Sequence, residues 1–296
     1  MSSLLSINKD TKFFGILGFP LSHTLSPLIH NYLFTEYKQN AIYIVLEKEH
    51  PDKFTLFKDK GLIKISGLSV TIPHKEWAFE ISDECGDETS QLMRASNTLV
   101  LKEDGQIYSY NTDGQGALRA IRECKKNIFS SKQNILILGS GGSAKGIACE
   151  IVKSEFQGNI FISARNKEKG KELSQILNNI KPSICEFLPL EELEPNGSRY
   201  NIIINTTPIG MHGTNEKPIL NDEFLLKKHI VFDIVYNPLF TPLVSSALKV
   251  GAKVILGYEM LLYQAIEQFK LFTGISVSKK YIELLRKLLE EKLGKV

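Results

Sequence analysis

The segment from Asn134 to Ala144, NILILGSGGSA, constrains the fold of this 296-residue chain more than any other. Its apolar run shows no alternation, so both faces need covering, as in the central strand of a parallel sheet flanked by helices. Gly139, Gly141 and Ala144 follow in the order G-x-G-x-x-A, and a helical pattern runs on from about Ser143 to Ser154. The first glycine allows the tight turn, and the second lets a pyrophosphate approach the backbone. The small alanine lets helix and strand pack closely. The helix N-terminus offers N–H groups and partial positive charge to phosphates. With a buried strand before it and a helix after it, the motif predicts a dinucleotide-binding turn in a Rossmann-type unit.

The next strand, NIFISA (159–164), selects the dinucleotide. An NAD site usually carries an acid about 20 residues beyond the glycines, where it bonds the ribose 2′-hydroxyl. No acid stands at this strand end. Arg165 does, with Lys167 and Lys169 behind it. Several N–H donors in a fixed fork suit a 2′-phosphate, so the cofactor expected is NADP. A lysine-rich solvated helix start is the competing explanation.

Elsewhere short β-branched runs alternate with helical ones. Strands are expected at 13–19, 41–47, 67–72, 200–207, 230–236 and 252–257, with a hairpin over 97–112 turning at Glu103-Asp104-Gly105. Helices are expected from Ser26 to Leu33, with Ser26 as cap and Pro27 in the first turn, and at 77–82, 114–125, 167–178, 242–250, 259–272 and 278–293. The fold class is therefore α/β, with two α/β domains. An N-terminal substrate domain with a mostly parallel sheet is expected over 1–112 plus 258–296, the C-terminal helices returning to it. A Rossmann-type domain is expected over 113–257.

Composition narrows the classes. Hydrophobic residues at 43% and charged residues at 23% are those of an ordinary globular chain. A net charge of +3, scattered along the chain, argues against nucleic acid as a partner. No run of about 18 apolar residues suggests a membrane span, and the N-terminus has no signal-peptide pattern. Cys85, Cys124, Cys149 and Cys185 form no CxxC pair, which points to reduced thiols in a cytoplasmic protein and to no metal site.

A second group of polar residues gathers at the strand ends of the N-terminal half. GFPLSHTLSP (18–27) follows the first strand, and ligands sit at such C-terminal strand ends in open α/β sheets. Thr24 and Ser26 are close enough to meet one anion. Thr71 and Lys75 are expected in a loop after the third strand. Asn97, Asn111 and Asp113 lie at hairpin and helix boundaries. Each has an ordinary alternative: Ser26 and Asp113 as helix caps, Asn97 and Asn111 as turn formers. His23 reads as a structural hydrogen bonder, and His74, beside Lys75, as a weaker acid–base candidate. Tyr236 is expected at a strand end facing the crevice, and Met260 and Leu261 in the core.

These segments, in this order, resemble the shikimate dehydrogenase family over essentially the whole chain. Four pieces carry the resemblance: Gly18-Phe-Pro-Leu-Ser-His-Thr-Leu-Ser-Pro27, Val70-Thr-Ile-Pro-His-Lys75, the pair Asn97-Thr98 with Asn111-Thr-Asp-Gly114, and Gly257-Tyr-Glu-Met-Leu-Leu-Tyr-Gln264. The resemblance implies a reversible, NADPH-dependent reduction of 3-dehydroshikimate to shikimate. It implies Lys75 and Asp113 as the catalytic pair. Thr24 and Ser26 would take the substrate carboxylate with Tyr236 nearby, and Lys75, Asn97, Asp113 and Gln264 its hydroxyls, with Thr71 beside them. Gly139, Ser140, Gly141, Gly142 and Ser143 would hold NADP, with Ala164, Arg165, Asn166 and Lys169 at its 2′-phosphate. Ile234 and Gly257 would flank the nicotinamide. A monomer or homodimer is implied.

Three positions depart from the commonest family pattern. Thr24 stands where Ser is frequent, Ser69 where Asn is frequent, and Ala164 where Asn usually precedes the arginine. Two alternatives stay open: a quinate/shikimate dehydrogenase using NAD, and a non-catalytic NADP-sensing module.

Overall fold

A computed structural model describes residues 7–21, 24–53, 57, 64–130, 132–212 and 218–294. His23 lies outside the described residues. The chain divides into two units: residues 1–112 with 265–285, and residues 113–264 with 286–296.

The first unit is built on a six-stranded sheet of β1 (Lys12–Gly18), β2 (Ala41–Glu47), β3 (Ile65–Val70), β4 (Glu84–Cys85), β5 (Thr98–Leu101) and β6 (Ile107–Tyr110), in the order β2-β1-β3-β5-β6-β4. Parallel pairing joins β1 to β2, β1 to β3 and β4 to β6, while β5 runs antiparallel to both neighbours. Because β5 alone is reversed, its N-terminal end lies with the C-terminal ends of β3 and β6. The register makes this explicit: Ser69 pairs with Thr98, and Thr98 with Tyr110. Asn97 and Asn111 therefore fall just beyond that row, on one edge.

One face of this sheet packs Leu17, Leu68, Val70, Leu99 and Ile107 with Ala78. Each Leu, Val or Ile side chain among them contributes about 1.5–3 kcal/mol on full burial. Among the described residues of its N-terminal part are the helices α1 (Ser26–Glu36), α2 (Lys75–Glu80) and α3 (Glu88–Met93). The last was not expected from the sequence, although Asp87 caps it by accepting from Ser90 N at 2.7 Å. The expected helix at 77–82 begins two residues earlier, at Lys75.

The second unit is doubly wound. After α4 (Asp113–Cys124) come β7 (Asn134–Leu138), α5 (Gly142–Lys153), β8 (Asn159–Ala164), α6 (Lys167–Ile180), β9 (Cys185–Pro189), β10 (Ile202–Asn205), β11 (Ile230–Asp233), α7 (Pro242–Lys249) and β12 (Lys253–Ile255). The order is β12-β11-β10-β7-β8-β9, every pair parallel. The chain winds outward from β7 in both directions, so a switch point lies between β7 and β10. The strands predicted at 200–207 and 230–236 end earlier, at Asn205 and Asp233. Thr206, Thr207, Ile234 and Tyr236 thereby belong to strand-end loops. Two final helices, α8 (Gly257–Thr273) and α9 (Lys279–Lys292), complete the chain.

Candidate active site

In the first unit the strand ends gather the hydroxyl, amide and lysine candidates. Thr71 follows β3 directly, and its N–H donates to the Leu17 carbonyl at 2.9 Å, tying it to the end of β1. Lys75 is not in a loop as expected. It is the first residue of α2 and only 8% exposed, and its carbonyl accepts from Ser96 N at 2.8 Å. Helical geometry gives its backbone one direction, which a loop would not.

Ser26 also departs from expectation. It is the first helical residue of α1, Leu25 is the cap, and no side chain caps the helix. Thr24 Oγ1 instead accepts from Ser26 N at 3.3 Å. The Ser26 hydroxyl is therefore not consumed as a cap.

Asn97 is buried and pinned. Its Oδ1 accepts from Thr112 N at 2.8 Å and from Thr98 Oγ1 at 2.9 Å, and its Nδ2 donates to Thr112 Oγ1 at 3.0 Å. Asn111 serves the backbone, donating from Nδ2 to the Ala95 carbonyl at 2.9 Å. His74 is placed structurally as well: its Nε2 sits 2.7 Å from the Lys48 carbonyl.

The second unit holds two further candidates, Asp113 and Gln264. Asp113 opens α4 and is 2% exposed. Gln264 is half-buried on α8. A Cβ on Gly116 would stand 2.8 Å from Gln264 N, so the absence of a side chain there lets α4 and α8 approach.

The glycine turn has the form that dinucleotide binding requires. Gly139 has φ +114°, a conformation that favours glycine, and a Cβ there would stand 2.5 Å from Thr206 Oγ1. That hydroxyl is fixed, donating to the Leu138 carbonyl at 2.7 Å. Open space lies around the position of a Gly141 side chain, and no side chain caps α5. Backbone N–H groups at a helix start, approachable from outside, suit a pyrophosphate. Ala144 is fully buried, as close packing of helix on strand needs. Ser140 is buried in the turn, and Gly142 and Ser143 open α5.

At the end of β8, Ala164 is buried and Arg165 exposed. Asn166 caps α6, its Oδ1 accepting from Lys169 N at 2.9 Å. Lys167 turns to Glu191 at 2.5 Å, which leaves Arg165 and Lys169 as the better candidates for a phosphate. Ile234 and Gly257, distant in sequence, are brought together: a Gly257 Cβ would stand 2.5 Å from the Ile234 and Val235 carbonyls. Tyr236 follows in the same loop, half-buried.

Sequence reasoning missed the support of that loop. Asp233 is fully buried, and its Oδ1 accepts from Asn205 Nδ2 at 3.0 Å and from Val235 N at 3.1 Å. Its Oδ2 accepts from Thr241 Oγ1 at 2.6 Å. Burial pushes its carboxyl up to about 6, against the pull of these donors. The available signal was an acid inside an apolar strand, since a buried carboxylate demands partners.

A doubly wound, all-parallel unit with a glycine turn beside its switch point, joined in one chain to a mostly parallel α/β unit, defines a two-unit dinucleotide-binding dehydrogenase. Residues 16–99 match the shikimate dehydrogenase substrate binding domain, and residues 257–283 the shikimate 5′-dehydrogenase C-terminal domain. The chain is 44% identical over 288 residues to shikimate dehydrogenase (NADP(+)) of Leptospira interrogans, covering 97% of each chain. It is 35% identical to the enzyme of the same name from Methanocaldococcus jannaschii, covering 98% of this chain and 100% of that one. A crystal structure of shikimate dehydrogenase in complex with NADP+ superposes with a TM-score of 0.84 at 34% identity, covering 97% of this chain and 98% of that one. The chain belongs to the shikimate dehydrogenase family. No helix among the described residues is long and apolar enough to cross a membrane.

Proposed function

We propose that this protein catalyses the reversible NADPH-dependent reduction of 3-dehydroshikimate to shikimate, a step toward chorismate and the aromatic amino acids. The observation that carries the reading is near-complete alignment with relatives of that name, together with Lys75, Asn97 and Asp113 buried at element ends rather than spent in solvent.

The second unit's residues fit the cofactor, since the turn at Gly139 and the open approach at Gly141 match a pyrophosphate. Gly139, Ser140, Gly141, Gly142 and Ser143 hold the diphosphate. Ala164, Arg165, Asn166 and Lys169 surround the 2′-phosphate, and Ile234 and Gly257 flank the nicotinamide. When bound, NADPH supplies the hydride.

Thr24 and Ser26 bind the substrate carboxylate through their hydroxyls, with Tyr236 beside it. Thr71, Asn97 and Gln264 orient the ring hydroxyls, as donors and acceptors that a polyhydroxylated acid requires. Reduction of the ketone builds negative charge on its oxygen. The Lys75 ammonium stabilises that charge and delivers the proton; in reverse, its neutral amine takes the proton back. Asp113 is the other member of the proposed catalytic pair. The enzyme acts in the cytoplasm, as a monomer or homodimer. Four cysteines without a disulfide suit a reducing compartment.

The test is to follow nicotinamide absorbance with NADP+ or NAD+ and with shikimate or quinate, each pair separately. NADP+-linked oxidation of shikimate is expected to dominate. NAD+-linked quinate oxidation would favour the sister enzyme, and no turnover with any pair would favour a sensor.

A further inference from the structure

Gln268 belongs to none of the sequence motifs, yet it lies beneath the strand ends of the first unit. It is 3% exposed on α8. Its Oε1 accepts from Ser69 Oγ at 2.8 Å, and its Nε2 donates to the Asn97 carbonyl at 3.3 Å. A carbonyl can only accept, so the amide nitrogen must face Asn97, and this fixes the orientation of the carboxamide.

Its surroundings also include a polar ring. Gln268 lies against His30, which is fully buried, stacked on Tyr43 at 4.3 Å and 5.7 Å from Phe272. An amide buried there is costly unless both its ends are paired. An apolar side chain of similar volume would fill the same place without that demand. What the amide adds is direction. The Asn97 carbonyl already accepts from Val70 N at 2.7 Å, so Gln268 engages its second lone pair. The Asn97 side chain is held in turn by Thr98 and Thr112. Backbone and amide at this position are thus fixed from both sides.

We propose that Gln268 is a positioning residue for substrate recognition. By tying Ser69 to the Asn97 carbonyl it sets where the Asn97 amide meets a hydroxyl of the substrate. This rests on the assignment of Asn97 to the substrate site, so Asn97→Ala is examined beside the Gln268 variants.

The experiment is steady-state kinetics of the full chain with shikimate and NADP+, with melting temperature recorded alongside. Gln268→Leu should raise the KM for shikimate about tenfold, with kcat altered much less and the KM for NADP+ unchanged. In Gln268→Glu the protonated acid can still donate to the Asn97 carbonyl and the ionised form cannot. Its shikimate KM relative to wild type should therefore climb as pH rises. An unaltered shikimate KM in Gln268→Leu would overturn the proposal, as would a parallel rise in both KM values. A Gln268→Glu profile parallel to wild type would overturn it too, and decides the matter alone if Gln268→Leu does not fold. Asn97→Ala with an unchanged shikimate KM would instead overturn the Asn97 assignment.

Discussion

Asn205 and Asp233 stand opposite one another at the last register pair of β10 and β11, and Asn205 Nδ2 donates to Asp233 Oδ1 at 3.0 Å. The contact organises the strand-end loop of the second unit, because the same carboxylate takes Val235 N and the Thr241 hydroxyl. Thr241 in turn caps α7 by accepting from Val244 N at 3.1 Å.

Asp233 gives a pH dependence of definite sign. Burial raises its carboxyl from 3.8 to about 6, so the folded chain binds a proton more tightly than the unfolded one. Its contribution is fully present below about pH 4 and is lost as pH rises through about 6, at about 1.4 kcal/mol per unit within that window. Asp233→Asn should abolish this component. Its amide oxygen can still accept from Asn205 and Val235, so the fold is retained. Denaturant unfolding of both proteins from pH 4 to 7 measures the difference in slope; equal slopes would refute the assignment.

Gly139 and Gly141 should respond oppositely to alanine. Gly139→Ala forces a side chain into a positive φ and against Thr206, at a cost of about 1–3 kcal/mol. Gly141 has φ −82° and open surroundings, so Gly141→Ala should leave stability within about 0.5 kcal/mol of wild type. It should nonetheless raise the KM for NADPH about tenfold or more, because its methyl group meets the pyrophosphate. Thermal melts and cofactor titrations read the two effects apart.

Lys75→Ala should lower kcat by about 10²–10⁴-fold with a modest change in the shikimate KM, as for loss of a proton donor in the transition state. Turnover close to wild type would remove Lys75 from the chemistry.

Arg165→Ala should raise the KM for NADPH about tenfold and leave that for shikimate unchanged, since a charge-assisted contact to the 2′-phosphate contributes about 1.5–3 kcal/mol. The preference for NADP+ over NAD+ should narrow in parallel. If neither moves, Lys169 is the next residue to replace.

Much of this protein is written locally. The unbroken apolar run before Gly139 determined a buried parallel strand, and the missing acid with Arg165 at the next strand end pointed to NADP. Strand and helix order followed from periodicity, because buried faces repeat every two or 3.6 residues whatever the distant context. The half-exposed strand β9 escaped that reading, since an edge strand lacks a continuous apolar run.

The tertiary structure decided what depends on partners far along the chain. Ser26 is no cap because it is already the first helical residue, with Leu25 at the cap position, and Lys75 is helical rather than in a loop. Asp233 became legible only once Asn205 and Thr241 stood beside it, and Gln268 only once Ser69 and the Asn97 carbonyl did. Hydrogen-bond partners of buried polar groups are set by sheet order and register, and no local spacing encodes a contact across 199 residues.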